Sequence, residues 1–225
     1  MKKLKFTRNN ALLLLLIIYF IISFSLYKTL IEFPPSKILG DSYRLFFLHI
    51  PTPIVGFFSF TIALIVSILY IKTNNFVWDD VAASSVKIGF VFSGLALVTG
   101  WAFSYEAWNS TWSWDPKALT MMILFVIYLG YFALRQATYD PGQRAKVSAI
   151  YGIMAYLSIP LTYMSSRLWF SLHPEGSIGL TSDMKMVAVL MVFGFILLNS
   201  YLLWFEVTYK KLAKKYENMI QEIDI

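Results

Sequence analysis

Cysteine is absent from this 225-residue sequence, which removes disulfides, thiolate metal sites and thiol nucleophiles from consideration. Histidine is almost absent: His49 and His173 are the only two imidazoles. Charge is scarce, at 14% of residues, where soluble domains carry roughly 25%. There is no G-x-S-x-G elbow, no H-E-x-x-H pair and no Walker A loop, so hydrolysis and nucleotide cleavage lack their usual parts. No internal repeat or low-complexity tract is present either. What fills the sequence is apolar: 58% of residues are hydrophobic and mean hydropathy is positive. This composition is that of an integral membrane protein.

Six apolar stretches, at about 11–31, 50–71, 82–103, 118–135, 147–167 and 184–206, approach the roughly 20 residues that a helix needs to cross a bilayer. The expected fold is all-α: a single six-helix membrane domain over residues 1–225, with an external tryptophan-rich segment at about 101–116. The basic start Met1-Lys2-Lys3-Leu4-Lys5 before a leucine run resembles a signal peptide, but the apolar part is too long and no small-x-small site follows, so it reads as a retained span. Pro34-Pro35 ends the first span, Asp79-Asp80 and Ser182-Asp183 are expected to cap the third and sixth, and Asp140-Pro141-Gly142 makes the turn between the fourth and fifth. Pro160 is expected to kink the fifth, with neighbouring helices satisfying the freed carbonyl.

The net charge of +6 sets orientation rather than marking a nucleic-acid surface. With the N terminus inside, 13 of the 19 basic residues fall on the cytoplasmic side, and only Lys28, Lys37, Arg44, Lys117, Arg167 and Lys185 lie outside. The asymmetry predicts cytoplasmic termini. It also places His49, the tryptophan segment and His173 on the external face, in successive outer segments.

Four of the seven tryptophans lie between residues 101 and 115. Trp101, Tyr105, Trp108 and Trp112 recur at intervals of four, three and four, which would put them on one helical face, while Trp114 points elsewhere. Two readings stand side by side: an interfacial aromatic belt, or a platform for a large, flat, apolar ligand. Asp115 before Pro116 has the form of an N-cap and first-turn proline, and a functional role can coexist with capping. His49 and His173 each sit near a span end. Singly, each has the plain reading of a hydrogen-bonded structural residue. As a pair on one face, two neutral imidazoles suit the axial positions of an iron porphyrin, with tryptophans stacking on or walling the ring. Arg44, Arg167 and Lys117 on that face suit its propionates, or are snorkelling interface residues.

Trp108-Asn109-Ser110-Thr111-Trp112-Ser113-Trp114-Asp115 resembles the W-G-x-x-W-x-W-D (WWD) signature of the haem-handling proteins of cytochrome c biogenesis. Size and six spans resemble its CcmC family, the haem exporter C component of the cytochrome c maturation (Ccm) system. Gly40-Asp41-Ser42-Tyr43-Arg44 leading to His49-Ile50-Pro51 is similar to that family's first histidine motif, and Leu168-Trp169-Phe170-Ser171-Leu172-His173 to its second; Leu124-Phe125-Val126-Ile127-Tyr128-Leu129-Gly130 is also similar. The resemblance covers about residues 12–206. It implies a multi-pass protein of the cytoplasmic (inner) membrane, not an enzyme, that holds non-covalent b-type haem at the outer face. His49 and His173 would be the iron ligands, with the tryptophan segment beside them. It further implies delivery to an extracytoplasmic haem chaperone, the E component, with a small D subunit and A and B transporter subunits as partners. Two departures stand out. Asn109 replaces the signature glycine, so any positive-φ backbone there must be carried by Asn, and Trp101 lies farther from Trp108 than the family pattern has it.

Two other functions stand as alternatives. One is the membrane core of a cytochrome c synthetase, which would attach haem directly and usually has further spans or a large partner domain. The other is a quinone- or haem-binding anchor subunit of a respiratory complex, whose histidines usually lie within spans.

Overall fold

The computed structural model describes residues 8–36, 39–110, 114–173 and 179–223, which are helical with no strand among them. Helix α1 (Arg8–Tyr27) runs on through a π-helical turn (Lys28–Glu32). Then come α2 (Tyr43–His49), α3 (Pro51–Thr73), α4 (Phe76–Trp108), α5 (Pro116–Ala137), α6 (Pro141–Ala155), α7 (Ser158–Leu168) and α8 (Ser182–Ile223). Six of the resulting helical runs are long and apolar enough to cross a membrane, as the hydropathy pattern requires: Asn9–Glu32, Tyr43–Thr73, Phe76–Trp108, Pro116–Ala137, Pro141–Leu168 and Ser182–Glu222.

The second run begins earlier than hydropathy suggests. Ile50 is itself helical (φ −57°, ψ −43°), with its N–H bonded to Phe46 O at 2.9 Å, so α2 leads into α3, and Pro51, which has no N–H to offer Phe47 O, marks the junction between them. Burial of Tyr43 and Phe47 against Met184 and Val187 of α8 stabilises this extra turn. His49 therefore sits inside a helical run rather than in an outer loop.

Caps explain most other boundaries. Asn74 closes α3 in the left-handed conformation, and the Asn75 side chain accepts from the Val77 N–H to open α4. The expected Asp79-Asp80 cap is thus one turn too late. Both acids lie in the first turn of α4, where Asp79 meets Arg135 and Asp80 meets Lys214. Thr181, rather than Ser182-Asp183, caps α8 by accepting from the Met184 N–H at 3.3 Å. Asp115 caps α5 as its Asp-Pro sequence suggests, and Asp140, expected as part of a turn, also caps α6. Pro160 breaks the fifth span one turn upstream, between α6 and α7, because a proline removes the bond to residue i−4. The chain satisfies the disturbed carbonyls itself: Ile159 N–H turns to Tyr156 O at 3.0 Å and Ser158 Oγ donates to Ala155 O at 2.7 Å.

The central core gathers Phe60, Val86, Leu124, Tyr128, Tyr131 and Ile159 from α3 to α7. Helices α3 and α4 form the most extensive pairing. Gly89 permits it: a Cβ there would come within 2.7 Å of the Phe60 ring, and small residues are what allow close approach of apolar helices. Helix α1 packs on α8. At 42 residues, α8 is about 63 Å long, roughly twice the ~30 Å hydrocarbon core. Its far end is tied to α4 by Lys214–Asp80 (2.6 Å) and Glu206–Lys87 (3.0 Å), while Arg135 of α5 grips Asp79 through both oxygens at 2.6 and 3.0 Å. The opposite end of the α4–α5 pair carries His49, Trp108, Asp115 and His173.

Candidate functional site

At that opposite end the helices part around a cavity of about 450 Å³, within the ~300–1,000 Å³ of small-molecule and cofactor pockets. Its wall is mainly apolar: Ile54 and Phe57 from α3, Leu97 and Phe103 from α4, and Met121 from α5. Both histidines of the protein line it.

His49 lies against Gly100 of α4. A Cβ on Gly100 would fall 2.9 Å from His49 Cε1, so the ring seats where α4 has no side chain. Its Nδ1 is 3.1 Å from Thr99 Oγ1, and the Thr99 hydroxyl hydrogen is directed to Leu95 O at 2.7 Å. With Thr99 as acceptor, the neutral tautomer assigned from the hydrogen-bond network is the one protonated on Nδ1 with Nε2 unprotonated, and the Ala96 carbonyl also bonds this ring. Thr52 donates to the His49 carbonyl at 2.7 Å and adds to the hold.

His173 is fixed by a different device. Asp115 is buried, at 4% exposure, and its Oδ1 accepts the Lys117 N–H that makes it the cap of α5. The same oxygen lies 3.0 Å from His173 Nδ1. Its Oδ2 accepts from Ser171 Oγ at 2.7 Å and from the Leu172 N–H at 2.6 Å. Burial pushes the carboxyl up, but these hydrogen bonds and His173 outweigh it, holding Asp115 below the ordinary carboxylate range. Burial lowers His173 below the usual imidazole value, partly opposed by Asp115 and reinforced by Lys117. The contact is thus a neutral N–H donating to a carboxylate, and His173 too presents a free Nε2.

Aromatic rings bridge the two histidines. Phe103 stacks near parallel to His49 (centroids 6.4 Å, 7°), meets Trp108 edge-on at 5.5 Å, and Trp108 in turn meets His173 at 6.0 Å. The tryptophan segment is helical through Trp108; Asn109 then ends α4 in the left-handed conformation (φ 49°), its N–H bonded to Tyr105 O at 2.9 Å. Asn is thus used where the signature has glycine. Trp101 lines the cavity while remaining half exposed. Trp114, also at positive φ (51°), is exposed and outside the lining. Trp112 lies outside the described residues.

The cations divide. Lys117 lines the cavity, donating to Tyr163 O and Ser166 Oγ at 3.1 and 3.2 Å, and Arg167, outside the lining itself, lies over the ring of the lining residue Tyr163 at 5.3 Å. Arg44 is not brought to the cavity. Its guanidinium bonds Asp41, Thr29 O and Phe33 O, closing the carbonyls at the end of the first span, which would otherwise lack partners.

Sequence reasoning missed Thr99, Gly100, Phe103 and Ser171. The available signal was a glycine inside an apolar span, which marks close approach; nothing local linked it to His49. Among the described residues no group of three or more His, Asp or Glu converges. Two imidazoles with free Nε2 on an apolar wall therefore suit a metal whose other ligands come from a macrocycle rather than from protein.

Comparison with known proteins bears on what that cavity takes. The family model described as Heme exporter protein C (CcmC) matches residues 2–222. The heme exporter protein C of Haemophilus influenzae is 32% identical over 173 residues, covering 72% of this chain and 69% of that protein. Those of Bradyrhizobium diazoefficiens and Paracoccus denitrificans are 27% and 28% identical, over 70% and 67% of this chain. The matches span 60% and 63% of those two relatives' own lengths, less than two thirds of either. Matched along nearly its whole length by the family model, the chain belongs to the heme exporter protein C family.

Proposed function

We propose that this protein binds haem in the cavity between His49 and His173 and passes it to an extracytoplasmic haem chaperone during cytochrome c maturation. The observation that carries the reading is the shared one: both imidazoles line a single apolar cavity, each with Nδ1 engaged by the protein and Nε2 left to ligate. The donor set fits the cargo. Two neutral imidazoles complete a six-coordinate iron, aliphatic and aromatic walls suit the ring, and Lys117 and Arg167 beside Tyr163 suit the propionates. Arg44 is spent elsewhere and takes no part. With no cysteine in the sequence, thioether attachment to this chain is unavailable, which supports a non-covalent, b-type haem.

The relatives' name, heme exporter protein C, supports this cargo. The excess of basic residues at the other end of the bundle supports cytoplasmic termini and an outward-facing histidine end, in the cytoplasmic membrane. The family resemblance supports an E-component acceptor, with D, A and B subunits as partners.

The test is the absorption spectrum of the detergent-purified, full-length protein loaded with haemin. The wild type is expected to give a six-coordinate, low-spin b-type spectrum that disappears in the variant carrying His49→Ala and His173→Ala. Full retention of that spectrum by the double variant would refute axial ligation.

A further inference from the structure

The two imidazoles are backed by unlike partners. Behind His173 stands the Asp115 carboxylate, 3.0 Å from Nδ1. Its charge is set in place by Ser171 Oγ, the Leu172 N–H and the Lys117 N–H at 2.6–2.9 Å. Behind His49 stand only neutral acceptors, the Thr99 hydroxyl at 3.1 Å and the Ala96 carbonyl. A carboxylate drawing on Nδ1–H gives the ring imidazolate character and raises the donor strength of Nε2 toward a metal; a neutral hydroxyl does so far less.

Their settings differ as well. His49 belongs to the continuous helical run Tyr43–Thr73 and stacks at 7° on Phe103, with its ring edge pressed into the space left by Gly100. Helix-borne and seated, it cannot follow an iron that moves out of the cavity. His173 sits on the segment after α7, anchored to the start of α5 through Asp115.

We infer that the pair is asymmetric by construction: His173, strengthened by Asp115 acting as a positioning residue, retains haem, and His49 is the ligand released at hand-over. This rests on the haem reading above. In the exchange the iron–Nε2 bond to His49 breaks with its electron pair returning to nitrogen. An electron-pair donor of the receiving protein takes the vacant position, and the iron keeps its oxidation state.

Full-length protein in detergent, loaded with haemin, tests this through haem stoichiometry together with absorption and electron paramagnetic resonance spectra of His49→Gly and His173→Gly. The His49→Gly variant is expected to keep its haem as a five-coordinate, high-spin species and to regain the six-coordinate spectrum when free imidazole is added. The His173→Gly variant is expected to lose haem at least about 10-fold. Asp115→Asn, which keeps the shape but removes the charge and turns one acceptor oxygen into a donor, is expected to weaken haemin affinity by about 10–100-fold; Thr99→Val should do so by only a few-fold. Equal losses in the two glycine variants, the reverse order, or a Thr99→Val effect as large as that of Asp115→Asn would overturn the asymmetry while leaving the haem site in place. Undiminished low-spin haem in both glycine variants would instead remove the haem reading itself. Should His173→Gly fail to fold, the comparison of Asp115→Asn with Thr99→Val decides alone.

Discussion

Two buried acids at opposite ends of the α4–α5 pair put the same side chain to different uses. Asp79, at 8% exposure, lies in the first turn of α4 and is gripped by the Arg135 guanidinium through both oxygens. Asp115, at 4% exposure, opens α5 and is held by a serine hydroxyl, two backbone N–H groups and a neutral imidazole. In the first case the charge is matched by an adjacent cation, and the product is a clamp between two helices. In the second, hydrogen bonds stabilise the anion without consuming its polarising effect, which is directed at His173. Burial of an acid thus does not distinguish structure from function; the charge of its partners does.

That contrast yields graded tests. Arg135→Ala leaves Asp79 buried without its cation, and breaking a buried pair in this way is expected to cost about 3–5 kcal/mol. Detergent or thermal denaturation of the variant should show the loss, while haem retained by the surviving folded protein keeps its wild-type spectrum. A changed spectrum would join the two ends that the contrast separates. Gly100→Ala places a methyl 2.9 Å from His49 Cε1; overpacking of this kind costs about 1–3 kcal/mol and should appear as weaker or altered haem ligation. Asn109→Ala loses a residue that tolerates the left-handed region and is expected to cost about 1 kcal/mol, with Asn109→Gly neutral or slightly stabilising, both read as shifts in denaturation midpoint.

Acid should act through the histidine end. The folded His173 titrates below its ordinary value, so the unfolded chain takes up that proton first and stability falls as pH drops below about 6.5. Asp115 is likewise shifted down, so its contribution is present above its unfolded value and is lost as pH falls through its lower folded value. The haem-free protein should therefore lose denaturation midpoint in two steps, first below about pH 6.5 through His173 and again below about pH 4 through Asp115. Asp115→Asn should remove the most acidic part of that dependence.

Much of this was legible in the sequence because it is local. Six spans follow from runs of apolar residues, the cap at Asp115 and the turn at Asp140 from Asp-Pro pairs, and the left-handed Asn109 from its place in the tryptophan signature. The rest depends on residues far apart in the chain. Asp115 reads as a cap from its neighbours, and its second role appears only when residues 171–173 fold back onto it. Gly100 reads as an unremarkable small residue until His49, 51 positions away, takes the space beside it. Arg44 looked free to bind an anion because the open carbonyls it closes belong to the end of another span. Hydropathy placed the start of the second span late for the same reason, since α8 buries Tyr43 and Phe47.

The most direct measurement compares haem in two charge- or ligand-removed pairs of the full-length protein: His49→Ala with His173→Ala, and Asp79→Asn with Arg135→Gln. Loss of the low-spin haem spectrum from the histidine pair alone, with the Asp79 and Arg135 variant still fully loaded, is the expected result. Full haem in the histidine variant, or equal loss in both, would contradict a haem site built on His49 and His173.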